Sequence, residues 1–244
     1  MSIISKRALA LARKECYSSL YSPAFYGIAV FFLVFVSVWL FYLQRFFIMD
    51  TASLRPFFAG FPLVYILIIP VLTMKSWAEE KKLGSVEILL TMPFSEWELC
   101  LGKFISSFAV LLSLLVLTLP VPLSLIPLGN FDPGVIIGEY AGAVFLGCAA
   151  ISLGLFLSAL AKNQAGAFLG TAVVLMAVIL LNQITLWAGL PSWLSLFINY
   201  ISLSFHFESF SRGLLDSRDL AFFILTTGLF LFLNTEVLIY RKRA

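Results

Sequence analysis

Apolar residues in this chain fall in runs of about twenty, the length at which an α-helix rising roughly 1.5 Å per residue covers a hydrocarbon core of about 30 Å. A helix in water needs one polar face, whereas a run that is apolar all round needs lipid or other helices around it. Six such runs stand out, at 24–42, 57–74, 104–128, 135–160, 165–186 and 220–239. The chain is 61% apolar and 12% charged, with a mean hydropathy of +1.02, a surface no soluble domain of 244 residues can offer to water. The polar stretches between the runs are too short to bury a core of their own. We therefore expect an all-α integral membrane fold, a single domain over 1–244, with the lipid bilayer as its first partner. The net charge of +3 gives no sign of nucleic acid.

An even number of spans puts both termini on one side, and the sixteen Lys and Arg residues then sort unequally. Lys6, Arg7, Arg13, Lys14, Lys75, Lys81, Lys82, Lys103, Lys162, Arg241, Lys242 and Arg243 share one side; Arg45, Arg55, Arg212 and Arg218 take the other. The positive-inside rule makes the first side cytoplasmic. The basic N-terminus superficially resembles a signal peptide, but the first run is too long and no small-residue cleavage site follows, so it is expected to remain as a span. The segment 190–210 is apolar enough to suggest a seventh span, which would place Arg241, Lys242 and Arg243 outside. Its polar residues Ser192, Ser195, Asn199, Ser202, His206 and Ser209 recur every three or four positions, the stripe of an external interfacial helix. Alternation over 202–207 leaves a short strand as the other reading.

Ionisable residues at mid-bilayer commonly mark ion or proton paths, and none lies near the middle of these spans. Glu139 and Glu236 lie close to span ends, where they are expected to snorkel, Glu236 toward Arg241, which argues against a proton-coupled transporter. Pro62, Pro70, Pro120, Pro122 and Pro127 should bend the second and third spans, either to shape a cavity or simply to pack. Gly138 with Gly142, and Gly166 with Gly170, allow close helix approach, within the chain or along a seam with a second copy. Tyr65, Asn182, Gln183 and Thr185 are candidates to line a polar pathway; hydrogen bonding between helices accounts for the polar trio equally well. Cys16, Cys100 and Cys148 have no metal-ligand spacing and read as packing residues.

The segment 75–103 holds most of the carboxylates on the basic side. Val86, Leu89, Leu90, Phe94, Trp97 and Leu101 fall on one helical face, and Pro93 is expected to divide the stretch into two short amphipathic helices. Ser95 followed by Glu98 predicts a capping box for the second. Such helices form a dock for a soluble partner, or a solvated loop resting on the membrane. Glu79 and Glu80 adjoin Lys81 and Lys82 with no histidine or metal ligand beside them, so catalysis is not expected. No phosphate-binding Gly-x-x-x-x-Gly-Lys-Ser/Thr sequence occurs, so the chain is not itself a P-loop ATPase.

The run Ala78-Glu79-Glu80-Lys81-Lys82-x-Gly84-Ser85-x-Glu87-x-Leu89-Leu90-Thr91-x-Pro93, followed by Gly102-Lys103, resembles the loop between the second and third spans of ABC-2 type transporter permeases. The nearest likeness is to the gliding-motility and copper-enzyme-maturation branches. Arg13-Lys14-Glu15 with Ser22-Pro23, and the segment from His206 to Gly213 with Asp216-Ser-Arg218-Asp219, agree with the same family. The resemblance implies a half-transporter with an N-terminal elbow helix (1–23), a cytoplasmic coupling loop (75–103) and an external segment (187–219). It implies an ATPase subunit dimer docking on Glu79, Glu80, Lys81, Lys82, Gly84, Glu87, Leu90, Pro93, Glu96 and Trp97. ATP and Mg would be bound by that partner, with no cofactor in this chain. A second permease chain, identical or a sister, and an external or periplasmic subunit are further implied partners, and export from the inner membrane the implied activity. A scaffold that recruits a partner without moving solute is the competing reading.

Overall fold

The computed structural model describes residues 6–46, 53–84, 95–129, 131–187, 191–211, 213 and 216–243. Among them every element is helical, and six helical stretches are long and apolar enough to cross a membrane: Pro23–Leu43, Arg55–Lys82, Glu96–Leu125, Pro133–Leu160, Gln164–Gln183 and Ser217–Lys242. These are the six runs read from sequence, with boundaries shifted by up to eight residues, most at the end of the second and the start of the third.

Helix α1 (Lys6–Leu20) precedes the first span. Span 1 is α2 (Pro23–Val38) continued by a π-helical turn, Trp39–Leu43; Ser22 caps its first turn and Pro23 has the φ a helix start requires. Span 2 is broken into α3 (Arg55–Phe58), α4 (Phe61–Met74) and α5 (Ala78–Lys82). Span 3 joins α6 (Glu96–Thr118) to α7 (Pro120–Leu125), with the break at Leu119–Pro120 where the proline ring removes a donor. Helices α8 (Pro133–Leu160) and α9 (Gln164–Trp187) form spans 4 and 5, and α12 (Ser217–Arg243) span 6. Between spans 5 and 6 lie α10 (Ser192–Ile201) and α11 (Leu203–Ser211).

The core sits around α8 and α4. In the most apolar window of span 4, 67% of residues are buried, against 22% for spans 1 and 5, so span 4 is the axis on which the others pack. Small residues permit this. A Cβ on Gly142 would lie 2.7 Å from Phe210 of α11, and one on Gly154 2.6 Å from the Thr73 hydroxyl of α4. Gly142 thus packs within the chain, while a Cβ on Gly170 would meet nothing within 4 Å. Phe57, Phe58 and Phe61 stack in tilted and edge-on pairs beneath span 1, where the Trp39 indole donates to the Pro56 carbonyl at 2.9 Å.

Two expectations need correction. The segment 190–210 is neither one helix nor a strand: the chain turns extended at Ser202 and makes two helices. The stripe expected to face water is folded inward at Ser202 and His206, which are buried, while Trp193, Leu196, Phe197 and Tyr200 of α10 turn an apolar face outward. Nor is there a separate short helix after Pro93. The capping box exists, with the Glu98 amide donating to Ser95 Oγ at 3.3 Å and the Ser95 amide donating to Glu98 Oε2 at 2.9 Å, but the helix it starts is span 3 itself. Trp97 and Leu101 belong to its first turns; a helix already hydrogen-bonded and apolar has no reason to stop at Phe104. Residues 85–94, which include Glu87, Leu90 and Pro93, lie outside the described residues.

Candidate functional site

The charged residues singled out around 75–103 gather at the end of the bundle that holds α1 and the last turns of α12. Its centre is Lys103, in the third turn of α6. The side chain is 2% exposed, yet its ammonium is fully used. It donates to Glu15 Oε1 of α1 at 2.8 Å, to Glu80 Oε1 of α5 at 2.8 Å and to the Ser76 carbonyl at 2.9 Å. It also lies 4.7 Å from the centre of the Trp77 ring, within cation–π reach. Three donors thus meet three acceptors, the condition under which a buried cation is tolerated. Helix α1 reaches this point because Gly102 has no side chain: a Cβ there would stand 2.9 Å from Leu11 and 3.2 Å from the Ala8 carbonyl.

A second tie joins span 2 to span 4. Ser158 Oγ accepts from the Trp77 and Ala78 amides, both at 3.3 Å, supplying partners for the otherwise free donors at the start of α5. In return the Lys81 ammonium donates to the Ser158, Ala159 and Ala161 carbonyls that end α8, with 3.0 Å to Ala161. A cation at a helix C-terminus meets both orphan carbonyls and the negative end of the helix dipole. Gly84 then closes α5 with φ of +68°, a left-handed conformation that glycine adopts without strain. On the far side, Glu96 accepts from Lys242 at 2.7 Å, and Trp97 lies 43% exposed near Phe232.

The ten proposed docking positions therefore divide. Glu80 and Lys81 are engaged inside the chain, and Glu96 pairs with span 6. Glu79 is half-buried, and Lys82, Gly84 and Trp97 are exposed. Adjacent residues in a helix point about 100° apart, so four consecutive charges cannot share one surface. Lys103 and Glu15 were legible only as parts of family-like motifs; Ser158 gave no signal, since one serine in an apolar helix has many uses.

The pathway candidates do not converge within this chain. Tyr65 is fully buried, its hydroxyl donating to the Ala143 carbonyl at 3.2 Å. Thr185 Oγ1 lies 2.8 Å from the Asn182 carbonyl and 2.7 Å from Asn199 Oδ1, a link between α9 and α10, while Gln183 is exposed. At the opposite end of the bundle His206 is held from both ring nitrogens, by Asp219 Oδ1 at 2.6 Å and the Tyr200 carbonyl at 3.0 Å, and stacks on Phe222. Glu236 is exposed, and Lys242 turns to Glu96. Glu139 does not snorkel: it is fully buried, and neither carboxylate oxygen has a hydrogen-bond partner.

Six apolar spans, the fourth of them close-packed at the centre, define a multi-pass membrane protein. The model of the ABC-2 family transporter proteins matches residues 9–234, and the chain belongs to that family of ABC transporter permeases. It is similar to the "Probable multidrug ABC transporter permease YbhR" of Escherichia coli strain K12, and to the protein of that name in Escherichia coli O157:H7. Each is 28% identical over 129 residues, 52% of this chain and 34% of the relative. The aligned stretch thus spans about a third of the length of these relatives.

Proposed function

We propose that this chain is the membrane subunit of an ABC exporter of the inner membrane, driven by a separate ATP-hydrolysing subunit that docks beside residues 75–103. The observation that carries this reading is the Lys103 node. It fastens α1, the end of span 2 and the start of span 3 into one block, so a push on the intervening loop is passed to two spans and the elbow rather than absorbed by a flexible linker. Such stiffness is what a coupling element needs, since a partner can shift an equilibrium only through contacts that differ between two states. On this reading the chain is one membrane domain whose cytoplasmic face carries both termini. Residues 1–23 are its elbow, 75–103 its coupling loop and 187–219 an external segment in which α10 lies in the interface. Two permease chains enclose the pathway, ATP and Mg reside in the ATPase dimer, and the gliding-motility or copper-enzyme-maturation branch is the closest in kind. The likeness of this chain to a permease named for multiple drugs supports export.

The test uses the half-buried Glu79 and the exposed Lys82 of the charged quartet. Co-expressed with its ATPase and captured through it, the chain carrying Glu79→Lys with Lys82→Glu should be recovered at least tenfold less, while its thermal unfolding stays within about 0.5 kcal/mol of the parent, as for ordinary surface changes. Undiminished recovery would refute the dock. Cysteines placed in spans 2 and 5 should then change reactivity when nucleotide is added to the complex; a scaffold would show no such change.

A further inference from the structure

At the end of the bundle away from α1, a cavity of about 360 Å³ opens between the start of span 2 and the start of span 4. Asp132, Val135, Ile136 and Glu139 line it at the spacing of one helical face, so it follows α8 downward for roughly 10 Å at 1.5 Å per residue. Leu54 and Phe131 complete apolar walls. Asp132 is already committed, accepting from the Gly134 amide at 2.8 Å as the helix cap. Two charges are not. Arg55 lies exposed at the rim, and its guanidinium makes no hydrogen bond or ion pair among the described residues. Glu139 is 0% exposed at the floor, with both carboxylate oxygens unbonded. A buried carboxyl group left without hydrogen-bond partners is costly, and this one lies against the inner end of the cavity.

We infer that this cavity binds a zwitterion, an organic ammonium whose N–H donors satisfy Glu139 and whose anionic oxygen group reaches Arg55. An ammonium brings three donors to the bare carboxylate, a guanidinium takes an oxyanion in bidentate fashion, and the methylenes between them lie on Leu54, Val135 and Ile136. The volume is within the range of small-molecule sites and far above that of a bare ion. The ligand chemistry has two sources, a phosphoethanolamine lipid headgroup and a free solute of the same kind. The inference stands independently of the ATPase reading.

The experiment places the full chain, its native cysteines replaced and Ile136→Cys introduced, in nanodiscs of phosphatidylglycerol, and measures the rate at which a thiol reagent labels position 136. Phosphatidylethanolamine added to the discs, or O-phosphoethanolamine added to the solution, should slow labelling at least fivefold and saturably. Protection by the lipid alone identifies a headgroup site, and protection by the soluble probe a solute site; either supports the inference. Glu139→Gln, nearly isosteric and uncharged, should raise the half-protecting concentration at least tenfold. Arg55→Gln, at an exposed position that does not threaten folding, should do the same. No protection by either probe, or protection unchanged by Arg55→Gln and by folded Glu139→Gln, overturns it.

Discussion

Lys103 carries a full charge at a position 2% exposed, and the cost of burying it is met by two carboxylates, a carbonyl and an indole face. Replacing it by Met keeps the stem and removes the charge, leaving Glu15 and Glu80 facing each other without a cation. For buried pairs broken on one side the loss is about 3–5 kcal/mol; since both carboxylates keep some exposure, the lower end, about 3 kcal/mol, applies here. We expect the Lys103→Met chain to unfold at markedly lower temperature in detergent, and Lys103→Met combined with Glu15→Gln and Glu80→Gln to recover much of that loss. Failure of the triple variant to recover would show that the node stabilises through packing on Trp77 rather than through charge. Lys81 differs: its partners are carbonyls that end α8, so Lys81→Met should fray that helix end without setting carboxylates against one another.

At the scale of elements, α1 is placed by a glycine. Alanines 8 and 12 of α1 are buried, and α1 meets α6 where Gly102 leaves room for the Ala8 carbonyl. A carbonyl fixed in a helix cannot give way as a side chain can, so Gly102→Val should displace α1 and break the Glu15–Lys103 bond, at about 1–3 kcal/mol for overpacking. Amide exchange along α1 would report the displacement; it should be faster in Gly102→Val than in the parent, and unchanged exchange would refute it. The capping box at the start of span 3 is a weaker hold. Ser95→Ala should cost about 1 kcal/mol and be seen as faster amide exchange at Trp97, Glu98 and Leu99, with the rest of α6 unchanged.

The whole molecule is organised around span 4, with α4, α6, α9, α11 and α12 packed against it. Bulk at its close contacts should therefore act globally. Gly154→Leu pushes on Thr73 and should lower stability by about 1–3 kcal/mol, read from thermal unfolding, whereas Gly170→Leu on peripheral span 5 should leave the isolated chain unchanged. The number and placement of spans were legible because hydropathy is a local property: a run of twenty apolar residues has few alternatives in any context. The break at Ser202 was not legible. The polar stripe over 190–210 is regular, and nothing local distinguishes a stripe facing water from one folded onto Asp219 and Thr185. The same holds for Glu139, whose place near a span end suggested an exposed side chain, whereas the structure buries it.

The sequence by itself determined that this chain lives in a bilayer as six helices, and through the 78–103 segment and its companions it pointed to the ABC-2 permeases. Only the tertiary structure decided what each member of the Glu79-Glu80-Lys81-Lys82 quartet faces. Side by side in the chain, they are interchangeable to any reading of pattern or charge. In space Glu80 meets a lysine of span 3, Lys81 meets the end of span 4, and Lys82 is exposed. The physical reason is that a charge is placed by its partners, and these partners lie 23 and 80 residues away.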